Sequence, residues 1–199
     1  MWRKIVYFNS ELEQRYGSKS SFRWATFKAA INMFIQRGGI YICETGCVRQ
    51  KDDYGAGYST VIFGDTLKTL GHGRLDSVDN NEAHLNICKE LTKEYADYLV
   101  YHLDDSVSFL EKHDHRIDLL YLDSYDYPVD DNAEEIQKSQ THCLNEIKAA
   151  YDKLNEKSII LIDDNSLPGG GKPGLAKEFL IDRDWMCVLD YQQTLWIRK

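Results

Sequence analysis

The sequence predicts an α/β protein whose doubly wound, mostly parallel sheet of about seven strands closes on a C-terminal antiparallel hairpin. Three observations predict it. Short, apolar, β-branched runs recur along the chain, at residues 39–43, 73–79, 98–103, 117–123 and 157–163, and read as strands. Between them lie longer segments whose apolar residues return at helical spacing, and strands alternating with helices imply a parallel sheet covered on both faces. Finally, the runs at 186–191 and 194–198 are separated only by Gln192-Gln193, which calls for a hairpin.

Composition bounds what such a protein does. The chain has 199 residues, enough for a single domain with a full core. Hydrophobic residues make up 43% and charged residues 28%, ordinary for a soluble globular protein. A formal charge of -8 disfavours capture of nucleic acid or of an anionic membrane, so neither is expected as a partner. The 5 cysteines form no C-x-x-C pair and read as reduced thiols. No apolar run is long enough to span a bilayer, and Met1-Trp2-Arg3-Lys4 leads into no signal-peptide core. A soluble cytoplasmic protein acting on a small molecule is expected, with homodimerisation an open option.

Taken in order, residues 1–19 form an N-terminal extension ending in Gly17-Ser18-Lys19-Ser20. Ser20 or Ser21 can cap a helix to Arg37, along which Trp24, Phe27, Ile31, Phe34 and Ile35 recur at helical spacing until Gly38-Gly39 stops it. That stripe suits core packing or a substrate surface, so residues 1–37 are assigned to the cap side and 38–199 to the main domain. The first strand runs into Glu44-Thr45-Gly46, a polar insertion at 48–54, then Gly55-Ala56-Gly57 and a helix over 58–70. The second strand ends in Asp79, and Asn80-Asn81-Glu82 opens a helix carrying Ala83, Ile87 and Leu91 on one face. After the third strand, Asp104-Asp105-Ser106 caps a short helix. The fourth strand leads through Ser124-Tyr125-Asp126-Tyr127-Pro128 into a long helix over 133–154. The fifth ends in Asp163-Asp164-Asn165, before a glycine-rich segment at 167–174 that reads as a mobile loop.

In such sheets ligands bind beyond the carboxyl ends of the strands, where the strand order reverses. Here those ends carry Glu44, Asp79, Asp104 and Asp105, Asp123, and Asp163 to Asn165. Any one acid there can be a helix cap, but five strand ends in series favour a ligand site. Gly46, Gly55 and Gly57 are spaced wrongly for a pyrophosphate, and a carboxylate beside phosphate is repulsive, which argues against an NAD(P) oxidoreductase. An acid suits a cationic amino group instead. Asp79 suits ribose hydroxyls, and Asp105-Ser106 suits an adenine amino group. Together these describe S-adenosylmethionine (SAM).

Glu44-Thr45-Gly46 with Gly57-Tyr58-Ser59-Thr60, Asp79, and the Asp105–Leu110 stretch resembles the SAM-binding motifs of class I SAM-dependent methyltransferases, which have a Rossmann-like fold. The resemblance covers residues 38–199 and implies cofactor contacts from Glu44, Thr45, Gly46, Ser59, Thr60, Asp79, Asn80, Asp105, Ser106 and Asp123. Adjacent fourth and fifth strands would bring Asp123 together with Asp163-Asp164-Asn165, an oxygen-rich set suited to Mg²⁺, Mn²⁺ or Ca²⁺. That set resembles the metal-dependent O-methyltransferases of the catechol, caffeoyl-CoA and macrolide-sugar types, and the resemblance implies Asp123, Asp163, Asp164 and Asn165 as metal ligands. The bland alternative is that the two acids cap a turn and Asn165 bonds its own backbone.

The catechol and caffeoyl-CoA enzymes carry a lysine soon after the first metal aspartate, where this chain has Ser124-Tyr125-Asp126. The general base is therefore unassigned, with Asp126 and His142 as side-chain candidates. Gly169-Gly170-Gly171-Lys172 is not a phosphate loop, because Pro173 replaces the hydroxyl residue; a flexible lid with Lys172 in solvent is expected. His113 and His115 read as solvated. The function implied is metal-dependent O-methylation of a small hydroxylated molecule. The alternatives are metal-independent methylation of nitrogen or of a macromolecule, and a non-catalytic SAM-fold binding module.

Overall fold

The computed structural model describes residues 11–20, 22–54, 58–128 and 132–199. Gly55-Ala56-Gly57, part of the expected cofactor loop, and Ser21, a possible helix cap, lie outside the described residues. Seven strands form one sheet in the order β3-β2-β1-β4-β5-β7-β6. They are β1 Tyr41–Thr45, β2 Arg74–Asp79, β3 Leu99–Leu103, β4 Leu119–Leu122, β5 Ile159–Ile162, β6 Trp185–Asp190 and β7 Thr194–Arg198. The first five pair in parallel, and β7 lies antiparallel between β5 and β6, as the short Gln192-Gln193 link requires.

Strand periodicity decides which helices cover which face. Ile42, Leu119, Tyr121, Ile159 and Leu161 point into one apolar core, while Cys43, Leu120, Leu122, Ile160 and Ile162 point into the other. The first core is completed by α1 Trp24–Gln36, α2 Ser59–Leu70 and α3 Glu82–Leu91, the second by α4 Ser106–Lys112, α5 Ala133–Ala150 and α6 Gly174–Ile181. Both faces of the central strands β1, β4 and β5 are thus buried, which is why they read as continuous apolar runs.

Helix ends follow local chemistry. The side chains of Asn81, Asp105 and Asn132 accept backbone N–H groups at the starts of α3, α4 and α5. Gly71, at φ 74, closes α2 by returning its N–H to Leu67 and Lys68. The long helix expected over 133–154 stops as α-helix at Ala150 and tightens into a 3₁₀ turn at Tyr151–Lys153. No helix among the described residues is long and apolar enough to cross a membrane.

The N-terminal helix is an integral layer of this core. Phe27 on α1 is 0% exposed and packs its ring on Phe63 of α2 and Tyr121 of β4, with centroids 5.7 and 5.6 Å away. Trp24, Ile31 and Phe34 are buried in the same core, so the aromatic stripe packs rather than faces a substrate. Tyr58 is buried there too, against the half-buried Tyr54. His113, expected in solvent, instead stacks flat on Tyr41 at 5.3 Å, while His115 is exposed.

Phe27→Ala should therefore destabilise the whole domain by ~3–5 kcal/mol. Urea unfolding followed by circular dichroism and tryptophan fluorescence should show a single shifted transition; two separate transitions would mean that α1 folds on its own.

Candidate active site

Glu44 is the penultimate residue of β1, and strand alternation turns its side chain toward α2. The first two residues of α2 are hydroxyls, and they meet it. Its carboxylate accepts from Thr60 Oγ1 at 2.7 Å, from Ser77 Oγ of β2 at 2.8 Å, and from Ser59 Oγ. Thr60 Oγ1 in turn accepts the Val48 N–H at 3.0 Å. At 0% exposure, Glu44 does not face a ligand as expected; it ties two strands, a helix and a loop together. Burial pushes its carboxyl up to about 7, against the opposing effect of the three hydroxyl donors. Ser59 and Thr60 therefore serve Glu44, and Thr45 is likewise buried.

Gly46 follows at φ +81, where a Cβ would come within 2.4 Å of the Asp123 carbonyl oxygen. Only glycine lets the chain leave β1 across the end of β4 at this distance.

Beyond Gly46 opens a small cleft of about 50 Å³, whose lining includes Asp79, Asn80, Asp105, Ser106, Tyr125 and His142. Five of the expected cofactor residues, Gly46, Asp79, Asn80, Asp105 and Ser106, thus share one cavity. Asp79 Oδ1 accepts the Asn81 N–H at 2.8 Å and its Oδ2 receives the Cys47 thiol at 3.4 Å, which fixes the carboxylate's orientation. Asp105 caps α4 through the Ser108 N–H at 2.9 Å.

His142 enters the cleft from α5, with Nε2 3.0 Å from the hydroxyls of both Ser106 and Ser124. Ser124 donates to Glu146 at 2.6 Å. Burial raises the buried Glu146, but hydrogen bonds from His142, Ser124 and Ser106 outweigh it and leave the carboxyl below its usual range. Burial disfavours the His142 imidazolium, yet Glu146 outweighs this and raises its pKa. His142, a candidate base, belongs to the same end of the cleft as Ser106. The other candidate, Asp126, is exposed and held by Arg49 at 3.1 and 2.9 Å, and that pairing lowers its carboxyl.

The second group of acids is drawn together at the ends of β4 and β5, whose register sets Leu122 beside Ile162. Lys172 lies between two of them. Its Nζ is 2.6 Å from Asp123 Oδ1 and 3.3 Å from Asp164 Oδ2, and the residue is 1% exposed. Asp164 adopts φ 54, a left-handed conformation that aspartate tolerates, and the turn aims its neighbour elsewhere. Asp163 accepts Arg23 Nε at 2.8 and 2.9 Å, Tyr121 OH at 2.6 Å and Gln193 Nε2 at 3.1 Å. Asn165 faces the C-terminal hairpin, donating to Asp190 and to the Tyr191 carbonyl at 2.6 Å each.

The buried position of Lys172 overturns the expectation of a solvated lid. Gly171 has φ 66, and a Cβ there would lie 2.2 Å from the Asp164 carbonyl oxygen. The glycines bend the loop inward over the strand end. Lys172 N–H then donates to Asp164 O at 3.1 Å, and the Gln140 amide holds the carbonyls of Gly169 and Gly171 at 2.9 and 3.0 Å. Burial raises Asp123 to about 8, against the pull of Lys172 and helped by Asp163 and Asp164. Burial also penalises the Lys172 ammonium, but Asp123 and Asp164 outweigh it and hold the lysine charged.

These residues do not fit a divalent ion. Mg²⁺ or Ca²⁺ needs oxygen ligands at ~2.0–2.6 Å, and the space between Asp123 and Asp164 is filled by an ammonium. Both oxygens of Asp163 are taken by Arg23, and Asn165 is turned to the hairpin. Among the described residues no three His, Cys, Asp or Glu side chains converge as a metal site would require.

Lys172 and Arg23 are the two cations at these strand ends that the sequence did not place there. Arg23 reaches Asp163 across 140 positions, which leaves no local signal. For Lys172 the one available clue was charge balance, since three acids at adjacent strand ends need counter-ions.

Glu44 offers a direct measurement. Its raised pKa means the native state favours the protonated form, so stability is full below about pH 4.5 and declines as pH rises toward 7. Relative to Glu44→Gln, the wild-type chain should lose ~1–3 kcal/mol over that window in urea titrations. A pH-independent difference would mean that Glu44 is ionised throughout.

Residues 54–165, more than half of the chain, match a family of methyltransferase domains. No curated protein sequence matches the chain. Solved structures do resemble it. A Podospora anserina methyltransferase bound to S-adenosylhomocysteine (SAH) aligns at 16% identity and TM-score 0.61, covering 98% of this chain and 88% of that one. A Bacillus cereus O-methyltransferase in complex with SAH aligns at 14% identity and TM-score 0.59, covering 97% and 91%. A putative caffeoyl-CoA O-methyltransferase from Staphylococcus aureus aligns at 12% identity and TM-score 0.59, covering 100% of both chains. At these identities the likeness speaks for the fold, while the family match speaks for the class. The chain belongs to the methyltransferase-domain family and is a SAM-dependent methyltransferase.

Proposed function

We propose that this enzyme methylates an oxygen of a small hydroxylated molecule. The observation that carries the reading is the adjacency of two features at the carboxyl end of the sheet. One is a cleft with carboxylates at the ends of β2 and β3; the other is a buried cluster of acids and cations at the ends of β4 and β5. The first suits a nucleoside: Asp79 for ribose hydroxyls, with Ser106, Tyr125 and His142 around the base. The second suits the reacting centre. Asp123, Asp163 and Asp164 face the two cations Lys172 and Arg23. The O-methyltransferases among the structural neighbours support oxygen as the acceptor atom.

When bound, SAM would supply an activated methyl group for an acceptor oxygen, its nucleoside held by the cleft that Asp79, Asn80, Asp105 and Ser106 line. What the chain contributes is position and field. Glu44 holds the β1 loop, α2 and β2 in one frame, Gly46 brings that loop against β4, and Asp79 is pre-oriented by Asn81 and Cys47. Asp126 is paired with Arg49, and His142 is shared between Ser106 and Ser124, which argues against either as the proton acceptor. The divalent ion implied by resemblance finds no support here, because Lys172 fills its place. Methylation of nitrogen or of a macromolecule is the second reading, favoured only by that lack of a metal site.

Calorimetry with SAH tests the cofactor assignment. Saturation at a hundredfold excess over Kd should stabilise the chain by about 2.7 kcal/mol. Asp79→Ala should weaken SAH binding roughly tenfold or more while leaving the unfolding transition in place, since that carboxylate is removed from a partly open cleft. Incubation with SAM and a panel of catechols, sugars and hydroxy acids should yield methyl ethers by mass spectrometry. Absence of any SAH binding would sink the reading.

A further inference from the structure

We propose that Lys172 is a resident cation that joins Asp123 to Asp164 in place of a divalent ion, so that methyl transfer in this enzyme needs no metal. The consequence for catalysis rests on the methyltransferase reading above; the assignment of Lys172 itself rests on its geometry.

Three observations carry it. The ammonium bridges carboxylates from two adjacent parallel strands, at 2.6 Å from Asp123 and 3.3 Å from Asp164. A metal ion bound by the same two oxygens would overlap Nζ, and two cations in contact away from water repel strongly. Second, Lys172 is held from behind. Its own N–H bonds Asp164 O, Gly171 carries the backbone conformation that turns it inward, and Gln140 pins the carbonyls on either side of Gly170. Withdrawing the side chain means opening that loop and leaving Asp123 without its cation and Asp164 with Arg23 alone, 3.4 Å away. Third, the remaining acid is committed elsewhere: Asp163 is paired with Arg23, Tyr121 and Gln193.

An ammonium differs from a divalent ion in two ways that matter here. It brings one positive charge where a metal brings two. It also donates hydrogen bonds and offers no coordination site for two acceptor oxygens. Lys172 therefore acts through Asp123 and Asp164 and is a positioning residue: it sets where their carboxylates stand.

Electron paramagnetic resonance with Mn²⁺ decides the matter. The wild-type chain should leave Mn²⁺ free, and EDTA should leave its activity unchanged. Lys172→Met removes the ammonium at similar volume, so this variant should bind Mn²⁺, and the added substitution Asp164→Asn should abolish that binding. The kcat of Lys172→Met should fall roughly 100-fold, as expected when reacting groups are misplaced, with partial recovery on adding Mn²⁺. Stoichiometric Mn²⁺ binding by the wild-type chain, lost on Asp164→Asn, would overturn the proposal. So would a folded Lys172→Met that binds no Mn²⁺. Should Lys172→Met fail to fold, the wild-type spectrum and the EDTA result decide alone. SAH calorimetry on the same wild-type sample keeps the two readings apart: a chain that ignores both Mn²⁺ and SAH would sink the methyltransferase reading and keep Lys172 as the resident cation.

Discussion

Carboxylates crowded at the end of a parallel sheet repel one another, and the carboxyl end of this sheet is organised by how that repulsion is relieved. Asp123 and Asp164 lie just beyond the ends of neighbouring strands and share the Lys172 ammonium, while the Arg23 guanidinium pairs with Asp163 and reaches Asp164 at 3.4 Å. Each pairing drags a distant piece of chain into place. Lys172 draws the glycine loop down over β5, and Arg23 anchors the start of α1 against the same strand end. Either charge left alone in that interior would cost several kcal/mol, so the loop, the helix and the sheet are mutually dependent.

On the neighbouring strand β1, Glu44 does the matching job with neutral partners. Three hydroxyls meet its carboxylate, and through them β1, β2 and α2 hold one geometry. The cleft that opens beside this frame is then lined by residues whose orientations are already set: Asp79 by a backbone N–H and a thiol, Ser106 by His142, His142 by Glu146. Preorganisation of this kind matters for methyl transfer, where correct placement of two reacting atoms supplies much of the rate. The division of labour is spatial, with nucleoside chemistry at the ends of β2 and β3 and the charged cluster at the ends of β4 and β5.

Much of the scaffold was legible because strand and helix periods are local properties. The apolar runs that became β1, β4 and β5 are buried on both faces, and the two-residue link at Gln192-Gln193 admits little but a hairpin. Strand-end acids could be read as a site because parallel strands present their carboxyl ends together. What misled was the meaning of individual residues. Glu44 looks like a ligand contact in the chain and is a buried brace in the fold. Gly169-Gly170-Gly171 looks like a hinge and is a forced inward turn.

By itself, then, the sequence determined the order of strands and helices, the burial of both sheet faces, and the strip of acids along one end, since these follow from backbone geometry and the hydrophobic pattern over a few residues. Only the tertiary structure decided which charge answers which acid. Arg23 and Asp163 are 140 positions apart and Lys172 and Asp123 are 49 apart, and no spacing rule couples them. Their partnership exists because a low-dielectric interior does not tolerate an unpaired charge, and which ammonium meets which carboxylate depends on how the whole chain packs.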